Sequence, residues 1–288
     1  MNLEINGMMV AGVVALIAGL LLVWTRFRAA SGPDKALLLG PVFEAVALAV
    51  FAAEHFLAAQ DLMTIVPPWL PGPLFWTYFV GTAWLAAAIS FIAWRQVRWS
   101  AALLALAFLL IVATIDLPNL PAHLGERLFW TLTVRELAFA AGAMVLAGSM
   151  WTRRSWVSIA LIRLGRGIVA ATLVFYGIQH FLFPLNARGV PLEKLTPAWV
   201  PFPTALAYLV GTILVLSGIG LFVRPTIRIA AATSGIMLLL LTVFFYVPIF
   251  AMEFQTQLAL EGINYVGDTL LFAATALLAG FGADQPIF

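Results

Sequence analysis

Apolar stretches of about 20 residues, the length that crosses a hydrocarbon core, recur from one end of this sequence to the other with only short polar breaks between them. Of 288 residues, 63% are hydrophobic and 10% charged, whereas soluble domains have about 45–50% apolar and about 25% charged residues. No ordinary water-facing surface can be built from this composition, so the expected solvent is a lipid bilayer. Inside it every backbone N–H and C=O must be paired within the protein, which leaves helices or a closed barrel. The runs are continuous Leu, Ala, Val and Phe, without the alternation of barrel strands. The expectation is an all-α polytopic membrane protein.

Nine spans are predicted, at about 8–24, 37–58, 74–94, 99–118, 133–151, 167–183, 204–223, 227–250 and 265–281. The first differs from a secretory signal, because Glu4 precedes its apolar core and Arg26 and Arg28 follow it. Lysine and arginine favour cytoplasmic loops. With the N-terminus outside and the C-terminus inside, the inner side receives Arg26, Arg28, Lys35, Arg95, Arg98, Arg153, Arg154, Arg163, Arg166, Arg224 and Arg228, which is 11 of the 15 basic residues. Arg127, Arg135, Arg188 and Lys194 fall toward the outer face. Tryptophans then sit at both interfaces, Trp24, Trp94, Trp99, Trp151 and Trp156 at the inner one and Trp69, Trp76, Trp130 and Trp199 at the outer.

The chain also aligns with itself. Val66 to Thr82 (VPPWLPGPLFWTYFVGT) matches Thr196 to Thr212 (TPAWVPFPTALAYLVGT) without a gap, and eight of the 17 positions are identical. Upstream, FAAEHF at 51–56 matches YGIQHF at 176–181, placing Glu54 opposite Gln179 and His55 opposite His180. Downstream, VRELAFAAGAMVLAG at 134–148 matches VGDTLLFAATALLAG at 266–280, placing Glu136 opposite Asp268, and Pro118 falls opposite Pro248. Each copy has four spans, an even number, so both face the same way across the membrane and a pseudo-twofold axis runs along the membrane normal. The predicted organisation is an N-terminal transmembrane anchor (1–36) followed by two parallel four-helix bundle repeats (37–155 and 156–288).

The residues FYGIQHF, PAWVPFP and LVGTILVLSGIGL, followed by a late helix with an embedded acid, resemble the DoxX-like membrane proteins over roughly residues 37–281. The usual unit of that family is a single four-helix bundle, which this chain carries in duplicate. Named relatives include the small subunits of thiosulfate:quinone oxidoreductase, so the resemblance implies a quinone-associated protein or an accessory subunit of a membrane oxidoreductase system, in a bacterial cytoplasmic membrane. It supplies no catalytic motif to match residue by residue.

Ionisable groups inside spans cost about 2.5–3.5 kcal/mol on insertion scales and mark candidate sites. The first copy holds Glu44, Glu54, His55, Asp116, Arg135 and Glu136; the matching places of the second hold Gln179, His180, Tyr246 and Asp268. All but Glu44 fall near the outer helix ends, where they could form one outward-facing polar pocket per repeat. Arg135 is expected to pair with Glu54, Asp116 or Glu136, since Glu54 and Arg135 are replaced together by Gln179 and Gly267 in the second copy. The paired histidines could serve a quinone carbonyl, relay protons or bind a metal, or simply bond a loop carbonyl beneath the proline motif. A haem held by both is disfavoured, because both lie close to the outer surface. Glu44, eleven residues before His55 on nearly the same helical face, lies roughly 16 Å deeper and could begin a proton path.

Zero cysteines remove disulfides and thiolate metal sites; no metal site is predicted. Basic runs are short, so nucleic acid is not an expected partner. Three functional readings stand: service to a lipophilic quinone, transport of a small solute through the pseudo-twofold axis, and anchoring of a soluble oxidoreductase.

Overall fold

The computed structural model describes residues 2–151, 155–189 and 194–283; Arg153 and Arg154 of the predicted inner charge set lie outside the described residues. Among the described residues nine long helices lie at the nine predicted positions: α1 (Asn2–Ala29), α2 (Gly40–Leu57), α3 (Pro73–Ala93), α4 (Val97–Ile111), α5 (Arg127–Ser149), α6 (Trp156–Leu182), α7 (Pro203–Gly220), α8 (Ile227–Leu241) and α9 (Ala259–Leu278). Among the described residues eight helical segments are long and apolar enough to cross a membrane. The exception, α9, is 20 residues long and carries Glu261, Asn264 and Asp268. From Thr269 to Leu278 every residue of α9 is buried, so this helix is solvated mostly by protein. The all-α polytopic membrane fold stands.

The two copies are built alike down to their irregularities. Helices α3 and α7 both start at the last proline of the repeated motif, where a missing N–H costs nothing, and both are preceded by a residue in left-handed conformation, Gly72 (φ 70°) and Phe202 (φ 47°). Helices α4 and α8 both pass into a π-helical segment, Val112–Asp116 and Thr242–Tyr246, before Pro118 and Pro248. A proline ring clashes with the carbonyl four residues back, and those carbonyls, of Thr114 and Phe244, lie within the two π segments. The widened turn accommodates the ring without ending the helix.

Packing between the copies follows the pseudo-twofold. Helix α2 lies on α3 and α6 on α7; α4 lies on α5 and α8 on α9. The first helix of each copy then packs against the last helix of the other, α2 on α9 and α6 on α5, while α5 and α9 meet each other at the centre. The helices thus form two rings fused along the α5–α9 pair. Small residues permit that central approach: a Cβ added to Gly142 would stand 3.0 Å from the Thr275 side chain. Helix α1 lies outside, against α2 and α3, where Gly12 faces Val50 and Gly19 faces Val42.

The end of the molecule where α1 finishes is tied by arginine. Arg228 donates to both carboxylate oxygens of Asp34 at 3.0 and 3.3 Å. Arg166 donates to the carbonyls of Ala279 and Phe281 at 2.9 and 2.7 Å, closing the last turn of α9. Arg98 lies between the rings of Trp99 and Trp151 at 4.5 and 4.9 Å.

Candidate functional site

The polar residues collect at the opposite end, beneath the proline loops. Arg135 on α5 donates through Nη1 to Asp268 Oδ2 at 2.5 Å on α9, and through Nη2 and Nε to Glu136 Oε1 at 2.9 and 3.3 Å. Glu136 and Asp268 are equivalent positions of the two copies, so one guanidinium spans the axis between a symmetry-related pair of carboxylates. The position equivalent to Arg135 is Gly267, whose missing side chain admits the ring of Phe51; an added Cβ would meet it at 3.0 Å. A second arginine there would collide with α2.

Around this triad stand further groups. Asp116, the last residue of the first π segment, interacts electrostatically with Arg135 and Glu136, and its Oδ2 is buried without a hydrogen-bond partner. Glu54, 5% exposed on α2, accepts from Asn264 Nδ2 of α9 at 2.9 Å. Tyr176 on α6 donates its hydroxyl to the Thr131 carbonyl at 2.7 Å. Asp116, Glu136 and Asp268 thus gather around one guanidinium, and Glu54 interacts electrostatically with Asp268 beside them.

Two expectations are corrected by this arrangement. Arg135 pairs with Glu136, as anticipated, but its other partner is Asp268 of the second copy, and Glu54 turns instead to Asn264. The two copies also do not make two like pockets, because first-copy acids and Asp268 form a single network at the shared axis. Asn264 was missed by sequence reasoning, although an amide four residues before Asp268 shares its helical face.

The histidines, equivalent in sequence, differ in structure. Each packs its Cβ against the glycine of the following helix, His55 on Gly81 and His180 on Gly211, which explains the repeated glycine. His180 is 1% exposed; its Nδ1 bonds the Tyr176 carbonyl at 2.6 Å and its Nε2 accepts the Gly189 N–H at 3.1 Å. Both nitrogens are used by backbone, so a haem iron or quinone carbonyl could reach this ring only by displacing one bond. His55 bonds the Phe51 carbonyl through Nδ1 at 2.8 Å, has no other partner among the described residues, and is partly exposed. Beside it Phe56 and Tyr78 stack at 6.0 Å, both about 40% exposed on the lipid-facing side.

The loop between α6 and α7 causes this difference. It carries Arg188, 1% exposed, whose guanidinium donates to the carbonyls of Asn186 and Pro203 and to Thr196 Oγ1. Burial lowers the pKa of Arg188 from its ordinary value. Tyr246, ending the second π segment, donates to the Arg188 carbonyl, and Lys194 reaches Glu253. Of the second-copy counterparts, His180 and Tyr246 are thus consumed in holding a loop, while Asp268 joins the Arg135 network. The α2–α3 loop is shorter, and no residue of it does for His55 what Gly189 does for His180.

Gln179 keeps its Oε1 buried without a hydrogen-bond partner. Glu44, 1% exposed on α2, lies apart toward the arginine end, and its Oε2 is likewise unpartnered. His123 pairs with Glu126 at 2.7 Å and stacks on Phe129. Among the described residues no group of three His, Asp or Glu side chains is arranged to hold a metal.

Comparison with protein-family models, curated proteins and solved structures finds no match for this chain.

Proposed function

We propose that this integral membrane protein is a DoxX-like, quinone-associated subunit of a membrane oxidoreductase system, and that its first copy receives the quinone head beside His55. The observation that carries this reading is the unequal state of two equivalent histidines. His180 is spent on its loop, whereas His55 keeps Nε2 available beside the Phe56–Tyr78 stack, a flat apolar surface next to a polar group, as a lipophilic ring requires.

Reduction of a quinone to a quinol takes two electrons and two protons. A separate soluble oxidoreductase supplies the electrons in this reading, and His55 with the neighbouring carboxyls supplies a route for protons. The site then faces the outer leaflet of a bacterial cytoplasmic membrane, with the N-terminus outside and the C-terminus inside. Solute transport along the axis is the weaker reading, because the α5–α9 contact at Gly142 and Thr275 fills that position.

The test is the quinone content of protein purified in mild detergent, measured by mass spectrometry in the wild type and in His55→Ala of matched thermal stability. Quinone near one per chain in the wild type, lost in the variant, supports the reading. Absence of quinone from both would remove it and leave the anchoring role.

A further inference from the structure

At the arginine end, the last turns of α1, the start of α2 and the end of α3 border a half-open cavity of about 220 Å³. Its walls are mostly apolar, with Leu22 from α1, Val42 from α2 and Phe91 from α3, and among the described residues the one charged group in its lining is Arg26. The Arg26 guanidinium lies over the Trp94 ring, 4.9 Å from its centre. The cavity is therefore a slot with an apolar body and a cationic mouth, at a helix end where a membrane interface is expected.

The backbone makes a costly choice at that mouth. Trp94 is held in left-handed conformation at φ 54°, and Gln96 follows at φ 57°. Such geometry costs roughly 1–2 kcal/mol for a residue with a Cβ. The duplicated fold does not demand it, since α7 leaves its last turn through Leu221 in ordinary right-handed conformation (φ −68°). In the first copy the strained corner sets an aromatic face directly beneath the cation.

We propose that this slot binds one acyl chain of an anionic phospholipid, with the lipid phosphate held by Arg26. The slot is lined from transmembrane helices, so a lipid is the molecule at hand, and a planar guanidinium suits a phosphate. Anionic rather than zwitterionic lipid is selected by the local charge: Arg28, Lys35, Arg95 and Arg98 belong to the same end, while Asp34 is engaged by Arg228. Basic pockets between transmembrane helices favour such headgroups. This inference does not depend on the quinone reading, since the slot and His55 lie at opposite ends of α2.

Native mass spectrometry of the intact protein, released from detergent containing equal amounts of phosphatidylglycerol and phosphatidylcholine, tests it. The wild type is expected to retain one phosphatidylglycerol with at least a fivefold preference. Arg26→Gln should abolish the preference, Arg26→Lys should keep most of it, and Leu22→Trp, made at a side chain 61% exposed on the lipid side, should exclude both lipids. Equal retention of the two lipids by the wild type, an unchanged preference in Arg26→Gln, or a quinone in place of the phospholipid and lost in Leu22→Trp would each overturn it.

Discussion

Glu136 and Asp268 are the same position of the two copies, and both bond one guanidinium, that of Arg135, across the axis on which α5 and α9 meet. Both copies carry an acid here; they differ at 135 and 267, which places a cation on one side and room for Phe51 on the other. Removing one partner from a buried ion pair leaves an uncompensated charge and costs about 3–5 kcal/mol. Arg135→Ala should therefore lower the thermal midpoint sharply, and Arg135→Ala with Asp268→Asn should recover part of the loss. Purely additive losses in that double-mutant cycle would mean that the two residues are not coupled.

Helices α6 and α7 approach backbone to backbone. A Cβ on Gly177 would lie 2.8 Å from the Gly211 carbonyl oxygen and 3.0 Å from the Val215 nitrogen, neither of which can yield without the helix moving. Gly177→Val is expected to cost at least the 1–3 kcal/mol or so of an overpacked core, read as loss of the folded monodisperse species in detergent. The first copy has Ala52 at the matching position, so Ala52→Gly should be far milder.

The sequence made the membrane fold legible because apolar runs and paired motifs are local facts. Eight identities in Val66 to Thr82 against Thr196 to Thr212 were enough to find the repeat, and the repeated prolines then placed the starts of α3 and α7. Which helix covers which is not local. Periodicity says that α2 has a buried face, and cannot say that α9 rather than α5 covers it. The same gap hid the Arg135–Asp268 pair, since the joint loss of Glu54 and Arg135 pointed to a contact within one copy. Pro118 and Pro248 were visible as a pair, but the π turns that end at Asp116 and Tyr246 depend on how each helix resolves a steric clash. Nothing in the sequence marks Arg188 as the residue around which its loop closes.

Phe202 holds the left-handed position that Gly72 holds in the first copy, and its side chain is 81% exposed. Left-handed geometry costs a residue with a Cβ roughly 1–2 kcal/mol, and glycine offsets part of that through the larger entropy of its unfolded state. Phe202→Gly should therefore stabilise the protein by up to about 1 kcal/mol, and Gly72→Phe should destabilise it by a similar amount. Thermal unfolding of the two variants in the same detergent checks both signs; destabilisation by Phe202→Gly would mean that the phenyl ring contributes more at the membrane interface than its backbone costs.

The two histidines predict opposite outcomes for one substitution. His180→Ala removes the acceptor of the buried Gly189 N–H, and an orphaned buried donor costs about 1–3 kcal/mol; the loop that Arg188 holds should loosen with it. His55→Ala keeps the Cβ that rests on Gly81 and breaks only a bond to the carbonyl one turn back, so its stability should stay within about 0.5 kcal/mol of wild type. Thermal unfolding, with proteolysis of the α6–α7 loop as a second readout, separates the two. A marked loss of stability in His55→Ala would make His55 a second packing histidine, and with it the asymmetry on which the proposed function rests would disappear.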